Sequence, residues 1–284
     1  MKYIILFTSL LLISCNQSKK TEKDFLKFSE LIVTKLKNKK LENLDKMFYD
    51  IDVIKTINKT SDSLGFKNEV ERKIFHSRYN YTRHASEYLK NISRKLTGEI
   101  KITNYYFENN NFHVIICSEI SDKIEGTELI LTEKNNKIVI DNYYSFTTGL
   151  NIKKNYIENA IYELNDRTLM DSNKMLKQSL NLYKSGLNHQ AYELIKQIPS
   201  EHSSLHNFLA AKYKIMRSTI KDLNPEEVDE IYRELISNNF DNKGFRYNYS
   251  IEYLKVFGQD SLANIYKDSL FGMIKDKYFI EKLN

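Results

Sequence analysis

The sequence predicts an α+β roll followed by an all-α array of helix pairs, and three observations support this prediction. In the first half of the chain, apolar residues change from helical spacing to alternation with a period of two. The second half keeps helical spacing and repeats small or branched residues at Ala191, Val228 and Ala263. Only 8 Gly and 2 Pro in 284 residues also favour helices over a turn-rich all-β fold.

The first residues have the features of an export signal. Lys2 gives a positive start, and Ile4–Ile13 is an almost unbroken apolar run. This run is too short for a bilayer span, which needs about 20 residues, but it is typical of the core of a secretory signal. Leu12-Ile13-Ser14-Cys15 closes the run, and a polar segment follows at once. A cysteine after Leu-x-Ser resembles the lipobox of bacterial lipoproteins.

This resemblance implies that residues 1–14 are removed as a signal peptide and that Cys15 becomes the first, acylated residue. Palmitate and the diacylglyceryl group of that family would then anchor the chain, because two or more acyl chains hold a protein stably on a membrane. Residues 15–24 are expected to form the lipidated cysteine and a polar tether. The expected location is the cell envelope, at the outer membrane of a Gram-negative bacterium. An ordinary secretory signal and an apolar first strand of a cytosolic protein are the alternatives.

Charge and cysteine content exclude some function classes. The formal charge of +6 is spread along the chain, and its densest stretch, Lys35–Lys40, fits a solvated helix end better than a nucleic-acid or membrane surface. No aromatic base-stacking platform accompanies it, so we expect no nucleic-acid partner. Cys117 lies in an apolar run and is expected to be a buried, inert thiol. We expect no metal and no cofactor.

Residues 25–150 are predicted to form the roll. Helical stripes run to Gly98, which is predicted to end a long helix in the left-handed conformation. Four strands with period-two alternation then form two hairpins with Asn-rich turns, which tolerate positive φ. The predicted strands are Glu99–Phe107, Phe112–Ile120, Thr127–Thr132 and Lys137–Tyr144. This order is similar in layout to the nuclear transport factor 2-like and cystatin-like rolls, which implies a curved sheet wrapped around a long helix.

Such rolls can hold a small molecule between helix and sheet, and this gives the main alternative function. A small-ligand-binding or hydrolytic roll would use His76 or His84 in a pocket lined by Tyr105, Tyr143 or Tyr144. Most charged residues of the long helix fall off its apolar stripe, however, so a solvated face is favoured over an acid–base site. No catalytic residue is assigned.

Residues 151–284 are predicted to form the repeat array. Leu-Tyr-x-x-Gly-x-x-x-x-Ala at Leu182–Ala191 resembles the tetratricopeptide repeat, whose family implies antiparallel helix pairs that bind a protein partner and do not catalyse a reaction. The small residues let paired helices approach closely, and residues three and seven positions later fill the seam. The predicted seam and turn residues are Leu182, Gly186, Ala191, Leu194, Ile198, Val228, Ile231, Leu235, Gly258, Ala263, Tyr266 and Leu270.

The array also contains two histidines at a spacing that metal ligands can have. His202 and His206 stand four residues apart, which would place them on one helix face, but no third ligand is evident. We therefore predict no metal site. The predicted function is a non-enzymatic interaction or scaffold protein, anchored to the membrane by its lipid and binding a protein partner through the array. Contact of the basic charge with anionic envelope polymers is a third hypothesis.

Overall fold

The computed structural model describes residues 20–64, 69, 73, 80–121, 123–165, 168–239 and 241–283. Residues 1–14, Cys15 and the first four residues of the predicted tether lie outside the described residues, and so does His76. The lipid anchor therefore stays a prediction. None of the helices in the described ranges combines the length and the apolar character that a bilayer span requires.

The chain forms helices, then a four-stranded antiparallel sheet, then a run of helices, which is the predicted α+β roll followed by an all-α region. The helices of the first half are α1 (Glu22–Lys37), a short 3-10 helix (Asp45–Met47), α2 (Ile51–Leu64) and α3 (Tyr81–Lys95). The strands are β1 (Leu96–Glu108), β2 (Asn111–Ile120), β3 (Lys123–Lys134) and β4 (Lys137–Ser145). The later helices are α4 (Ile152–Asn165), α5 (Thr168–Lys184), α6 (Asn188–Ile195), α7 (Ser200–Ser203), α8 (His206–Thr219), α9 (Pro225–Asn238), α10 (Lys243–Val256), α11 (Asp260–Ile274) and α12 (Lys277–Leu283).

Helix α1 begins at a capping box. The Thr21 side chain accepts from the backbone N–H of Asp24, and the Asp24 carboxylate accepts from the backbone N–H of Thr21 at 2.9 Å. This reciprocal pair satisfies two of the N–H groups that a helix start leaves without partners. The helix therefore begins at Glu22, so the last residues of the segment predicted as tether are helical.

The sheet is a simple meander in the order β1-β2-β3-β4. Both hairpins turn through Asn pairs with positive φ, Asn109-Asn110 and Asn135-Asn136. Positive φ at both central residues is the requirement of a type I′ turn, which matches the right-handed twist of the strands. The predicted effect of Gly98 is wrong, because the long helix ends at Lys95 and Gly98 lies within β1, against the side chain of Glu119.

Helices cover both faces of the sheet. The inner face packs on α1, α3 and α4 through residues such as Phe112, Leu129 and Tyr143. On the outer face, Ile115 and Cys117 pack against α10, α11 and α12. Strand β2 is consequently buried on both sides, as strands between two helical layers are. Cys117 is fully buried, and burial raises the pKa of its thiol to about 12, as expected for an inert cysteine.

Three helix pairs, α5–α6, α8–α9 and α10–α11, are in contact in the helical region. Helices α5 to α9 and the first part of α10 form a core of their own, whereas the buried side of α11 belongs to the cluster that packs on the outer face of the sheet. Helix α4 packs on the roll through Ile152, Tyr156 and Ala160 instead of joining that core. The division into residues 25–150 and 151–284 stays a prediction, and by packing α4 belongs with the first half.

Candidate functional site

Two of the predicted repeat turns have the same backbone geometry. Gly186 and Gly258 have φ of +79° and +70°. In the first turn the N–H of Leu187 donates to the Leu182 carbonyl at 3.0 Å, and in the second the N–H of Gln259 donates to the Leu254 carbonyl at 2.8 Å. These bonds satisfy carbonyls at the end of the preceding helix and form the Schellman motif, which favours glycine at the left-handed position.

In the middle pair, α8–α9, the second helix begins with an Asn cap and a proline instead of a glycine turn. The side chain of Asn224 accepts from the backbone N–H of Glu227 at 2.8 Å, and Pro225 is the first residue of α9. An Asn cap followed by Pro starts a helix without a glycine turn, because the missing N–H of Pro needs no partner there.

The structure places most predicted seam residues inside the array. The buried ones are Ala191, Ile198, Val228, Ile231, Leu235, Ala263 and Leu270. Leu182 and Leu194 are half-buried, and the two turn glycines are exposed. Tyr266 is 38% exposed, and its ring lies 6.2 Å from the Tyr247 ring of the paired helix α10, so it stands at the border of the seam. The buried side of α11 is formed by Ala263, Leu270 and Ile274.

Helix α11 carries an exposed apolar stripe. Leu262 is 48% exposed and Ile265 is 61% exposed. Ile265 and Tyr266 follow Leu262 by three and four residues, which places both beside it on one face of the helix. Gly272 continues this face, and a Cβ placed there would meet nothing within 4 Å. We call Leu262, Ile265, Tyr266 and Gly272 the outer stripe. The outer stripe therefore combines three apolar side chains with Gly272, which has no side chain to block a close approach.

The last helix of the chain turns away from the outer stripe. Lys275 has a positive φ of 57°, which ends α11, and α12 then packs Phe279 and Ile280 on the sheet side. Tyr278 donates to the Glu119 carboxylate, and Lys282 Nζ donates to it at 2.7 Å. These donors hold the pKa of Glu119 at about 2, well below its usual range. Helix α12 therefore leaves Leu262 and Ile265 exposed, while Tyr266 keeps its ring contact with Tyr247 of α10.

A second candidate is a polar cleft of about 140 Å³ between the roll and the array. It has room for only a few water molecules, at about 30 Å³ each, and is smaller than a typical drug-sized pocket. Its wall carries five Asn side chains, together with Tyr144, His206 and three charged residues. The lining residues are Tyr144, Gly149, Asn151, Lys154, Asn155, Glu158, Ser204, Leu205, His206, Leu209, Asn238, Asn239, Asp241 and Asn242.

Burial shifts three titratable groups of the cleft toward their neutral forms. Burial, with a contribution from the Lys154 charge, lowers the pKa of His206 to about 4, so its imidazole is neutral at pH 7. Burial raises the pKa of Glu158, although Lys154 Nζ lies 3.8 Å from its carboxylate. Burial and the nearby Asp241 raise the pKa of the Tyr144 hydroxyl to about 12. The cleft therefore offers uncharged donors and acceptors from its Asn side chains, Tyr144 and His206, beside the charged side chains of Lys154 and Asp241.

The structure separates the two histidines considered as metal ligands. His202 is buried in α7 with its Nδ1 2.8 Å from Ser172 Oγ, whereas His206 begins α8 and faces the cleft. Because a helix break stands between them, the four-residue spacing does not put them on one face. Across the ranges that the structure describes, no group of three His, Cys, Asp or Glu side chains is placed to hold a metal ion.

The residues proposed for a pocket inside the roll are scattered. Tyr143 is fully buried and stacks on Tyr88 with ring centroids 4.9 Å apart, so its ring is part of a packed core. Tyr105 is exposed at the sheet edge, and the His84 ring lies 5.2 Å from the Tyr156 ring. Tyr144 lines the cleft described above. A histidine does accompany Tyr144 there, but it is His206.

Sequence reasoning missed two buried polar clusters. On the outer face of the sheet, Tyr106 donates to Glu128, and His113 Nδ1 lies 2.8 Å from the same Glu128 oxygen. The period-two pattern placed these residues on one face. It gave no sign that helices from the other half of the chain would cover that face.

The second cluster surrounds Glu125, whose carboxylate is buried. Ser145 Oγ donates to it at 2.7 Å, and Thr147 donates to it as well. Burial raises the pKa of Glu125 to about 6. The same turn is held from the array, because Asn242 Nδ2 donates to the Ser145 carbonyl at 2.8 Å and Tyr249 donates to the Thr147 carbonyl. Glu125 and α10 therefore fix the connection between the two halves from opposite sides.

Comparison with known proteins adds no relative. No family model matches the chain, and no curated protein and no solved structure matches it either.

Proposed function

We propose that this protein is a lipid-anchored, non-enzymatic interaction protein of the cell envelope that binds a helix of a partner protein along the outer stripe of α11. The observation that carries the proposal is the uncovered apolar face of the last helix pair. The lipobox-like Leu12–Cys15 supports the anchor, and the helix pairs support partner binding.

An exposed apolar face at the end of a helical array indicates a surface that binds another protein. Terminal repeats usually carry a polar outer face, because nothing stacks on them. Here Leu262 and Ile265 are exposed instead. Burying a large apolar side chain contributes about 1.5–3 kcal/mol, so covering three of them would supply a useful share of a binding energy.

The shape of the stripe favours an apolar helix as the occupant. Gly272 and Ser269 lie near one end of the face, where small side chains allow two helix backbones to approach closely. Ridges of a partner helix could then pack between Leu262, Ile265 and Tyr266, as helices of the array already pack on one another. The partner face is expected to carry Leu, Ile or Phe at helical spacing.

Site-specific photocrosslinking in the producing cell tests this function. A photoreactive residue replacing Ile265 should give one discrete adduct whose partner peptide maps to an amphipathic helix. The same residue replacing Glu201, an exposed polar position in α7, should not. Leu262→Glu should abolish the adduct while the far-ultraviolet circular dichroism spectrum stays unchanged. Adducts of equal yield and pattern at both positions would contradict the proposal.

The anchor has a separate test. Metabolic labelling with a clickable palmitate analogue should label the wild type, and Cys15→Ser should remain unlabelled and keep its signal peptide. Labelling that persists in Cys15→Ser would show that another residue carries the acyl chain, and the proposed role of Cys15 would then be wrong.

A second candidate function is binding of a small uncharged polar ligand in the cleft. Its amide side chains, Tyr144 and the neutral His206 favour hydroxyl or amide groups over ions. Saturation-transfer NMR with acetamide as the probe should show contact that His206→Leu removes and Tyr278→Phe leaves intact. Because His206 stays neutral above about pH 4, its own part of the contact should be constant between pH 5 and 8. No transfer to the wild type would remove this candidate.

A further inference from the structure

We propose that one end of the roll docks on the surface of the bilayer that holds the anchor. This end, which we call the tether end, consists of the two Asn-Asn turns and the first turns of α1 and α2. The inference rests on the proposed acylation of Cys15. It adds a second membrane contact, made by folded residues, and it assigns the phospholipid surface as the partner of that contact.

The chain leaves the described part of the molecule at the tether end. The backbone N–H of Lys20 donates to Glu133 Oε2 at 3.0 Å, and Glu133 lies beside the second Asn-Asn turn. Cys15 is five residues before Lys20, and five residues span at most about 18 Å even when fully extended. An acyl chain on Cys15 therefore keeps this end of the roll within about 18 Å of the lipid.

The first hairpin presents aromatic side chains at the same end. Phe107, next to the first Asn-Asn turn, is 52% exposed. Its ring meets the rings of Phe25 and Phe112 edge-on, at centroid distances of 5.8 and 4.9 Å. These contacts hold one side of Phe107 in the core while its other side faces outward. Phe is one of the residues, with Trp and Leu, by which interfacial segments enter the boundary between headgroups and acyl chains.

Helix α2 adds aliphatic residues to the tether end. Lys134, at the end of β3, lies 3.8 Å from the Asp52 carboxylate and 5.1 Å above the Tyr49 ring, so the start of α2 is joined to the second Asn-Asn turn. Ile51 and Ile54 in that helix are each 41% exposed. The tether end thus carries exposed apolar groups beside both edge strands of the sheet, Phe107 in β1 and the start of α2 next to β4.

Both lysines that the structure pairs at this end face carboxylates. Lys134 faces Asp52, and Lys243 lies 3.2 Å from the Glu108 carboxylate. The Asp24 carboxylate accepts from Thr21. Paired lysines give little attraction to anionic headgroups, so the contact is made by apolar side chains at the depth of the headgroup and acyl boundary. It should therefore form on zwitterionic lipid and resist salt.

Tryptophan fluorescence tests the docking directly, because the chain contains no Trp. The acylated full-length protein carrying Phe107→Trp is reconstituted in phosphatidylcholine vesicles with or without bromine on the acyl chains. The matched control is Val256→Trp at the far end of α10. The first residue of that helix, Lys243, contacts the tether end, and Val256 lies about 20 Å farther along the helix.

Docking predicts blue-shifted emission at position 107 and several-fold stronger quenching by brominated lipid than at position 256. Adding Ile54→Asp should lower the quenching at position 107, and raising the salt concentration should not. Equal quenching at the two positions, or none at 107, would overturn the docking even if Cys15 is acylated. Failure of the palmitate label on Cys15 would instead defeat the proposed function, so the two results are distinguishable.

Discussion

The first and last helix pairs of the array share a turn but differ in what surrounds them. In both, a left-handed glycine ends the first helix, and a buried alanine five residues later starts the second, Ala191 in one pair and Ala263 in the other. Helix α6 of the first pair is packed against α8, whereas Leu262 and Ile265 on the outward face of α11 in the last pair are 48% and 61% exposed.

The difference teaches that the repeat motif specifies a helix pair but not its environment. Leu194 and Tyr266 occupy the same repeat position. Leu194 is half-buried and Tyr266 is exposed. What changes is the next element along the chain, since α6 is followed by helices that pack beside it and α11 is followed by α12, which packs on the sheet.

The largest expected effect tests whether the shared seam is equally important in both pairs. Leu270→Ala and Ile198→Ala each remove buried methyl groups and leave a cavity, so each should lower the free energy of unfolding by about 3 kcal/mol. Urea denaturation followed by circular dichroism measures both. Ile265→Ala on the exposed stripe is the control. A cost below about 1 kcal/mol at Leu270 would mean that the last pair is not packed as described.

A smaller effect tests the shared turn. Gly186→Ala and Gly258→Ala put a Cβ on a left-handed backbone, which should cost about 1–2 kcal/mol at each site. Both sites are open, so the cost should be equal and should come from backbone strain alone. Gly272→Ala is the matched control, because it lies in a helix with an ordinary φ and should stabilise by about 0.5–1 kcal/mol. Unequal costs at the two turns would break the comparison.

The middle pair sharpens the comparison, because a cap replaces the glycine turn there. Asn224→Ala removes the acceptor for the Glu227 N–H and should cost about 1 kcal/mol in thermal unfolding. Asn224→Gly should cost only a few tenths of a kcal/mol, since glycine is also tolerated at an N-cap. If the two variants are equally destabilised, the hydrogen bond of the Asn224 side chain does not stabilise the start of α9.

The smallest effect separates the outward positions. Ile265→Ala should change the free energy of unfolding by less than about 0.5 kcal/mol, because the side chain is 61% exposed. Leu194→Ala should cost more than Ile265→Ala, since Leu194 is half-buried in the array. Scanning calorimetry of both variants at the same pH measures the difference. A reversed order would show that the stripe on α11 is covered in solution.

The sequence by itself determined the local structure. The Asn-Asn pairs and the repeat glycines specify positive φ through their own side chains, or the lack of one, so both hairpins and two repeat turns could be predicted. The change of period from helical spacing to two determined the order of helices and strands. The apolar neighbours of Cys117 were enough to predict its burial.

Only the tertiary structure decided which faces are covered. Helices more than 100 residues away along the chain pack on the outer face of the sheet, and this contact buries His113 and Glu128. The tertiary structure also determines that Gly98 lies in a strand and that His202 is buried against Ser172 while His206 faces the cleft. The same packing brings Tyr144 and His206 together in that cleft. Backbone angles and periodicity belong to a residue and its near neighbours. Burial of the second face of a strand or helix depends on which distant element packs on it, and a local sequence pattern does not specify that element.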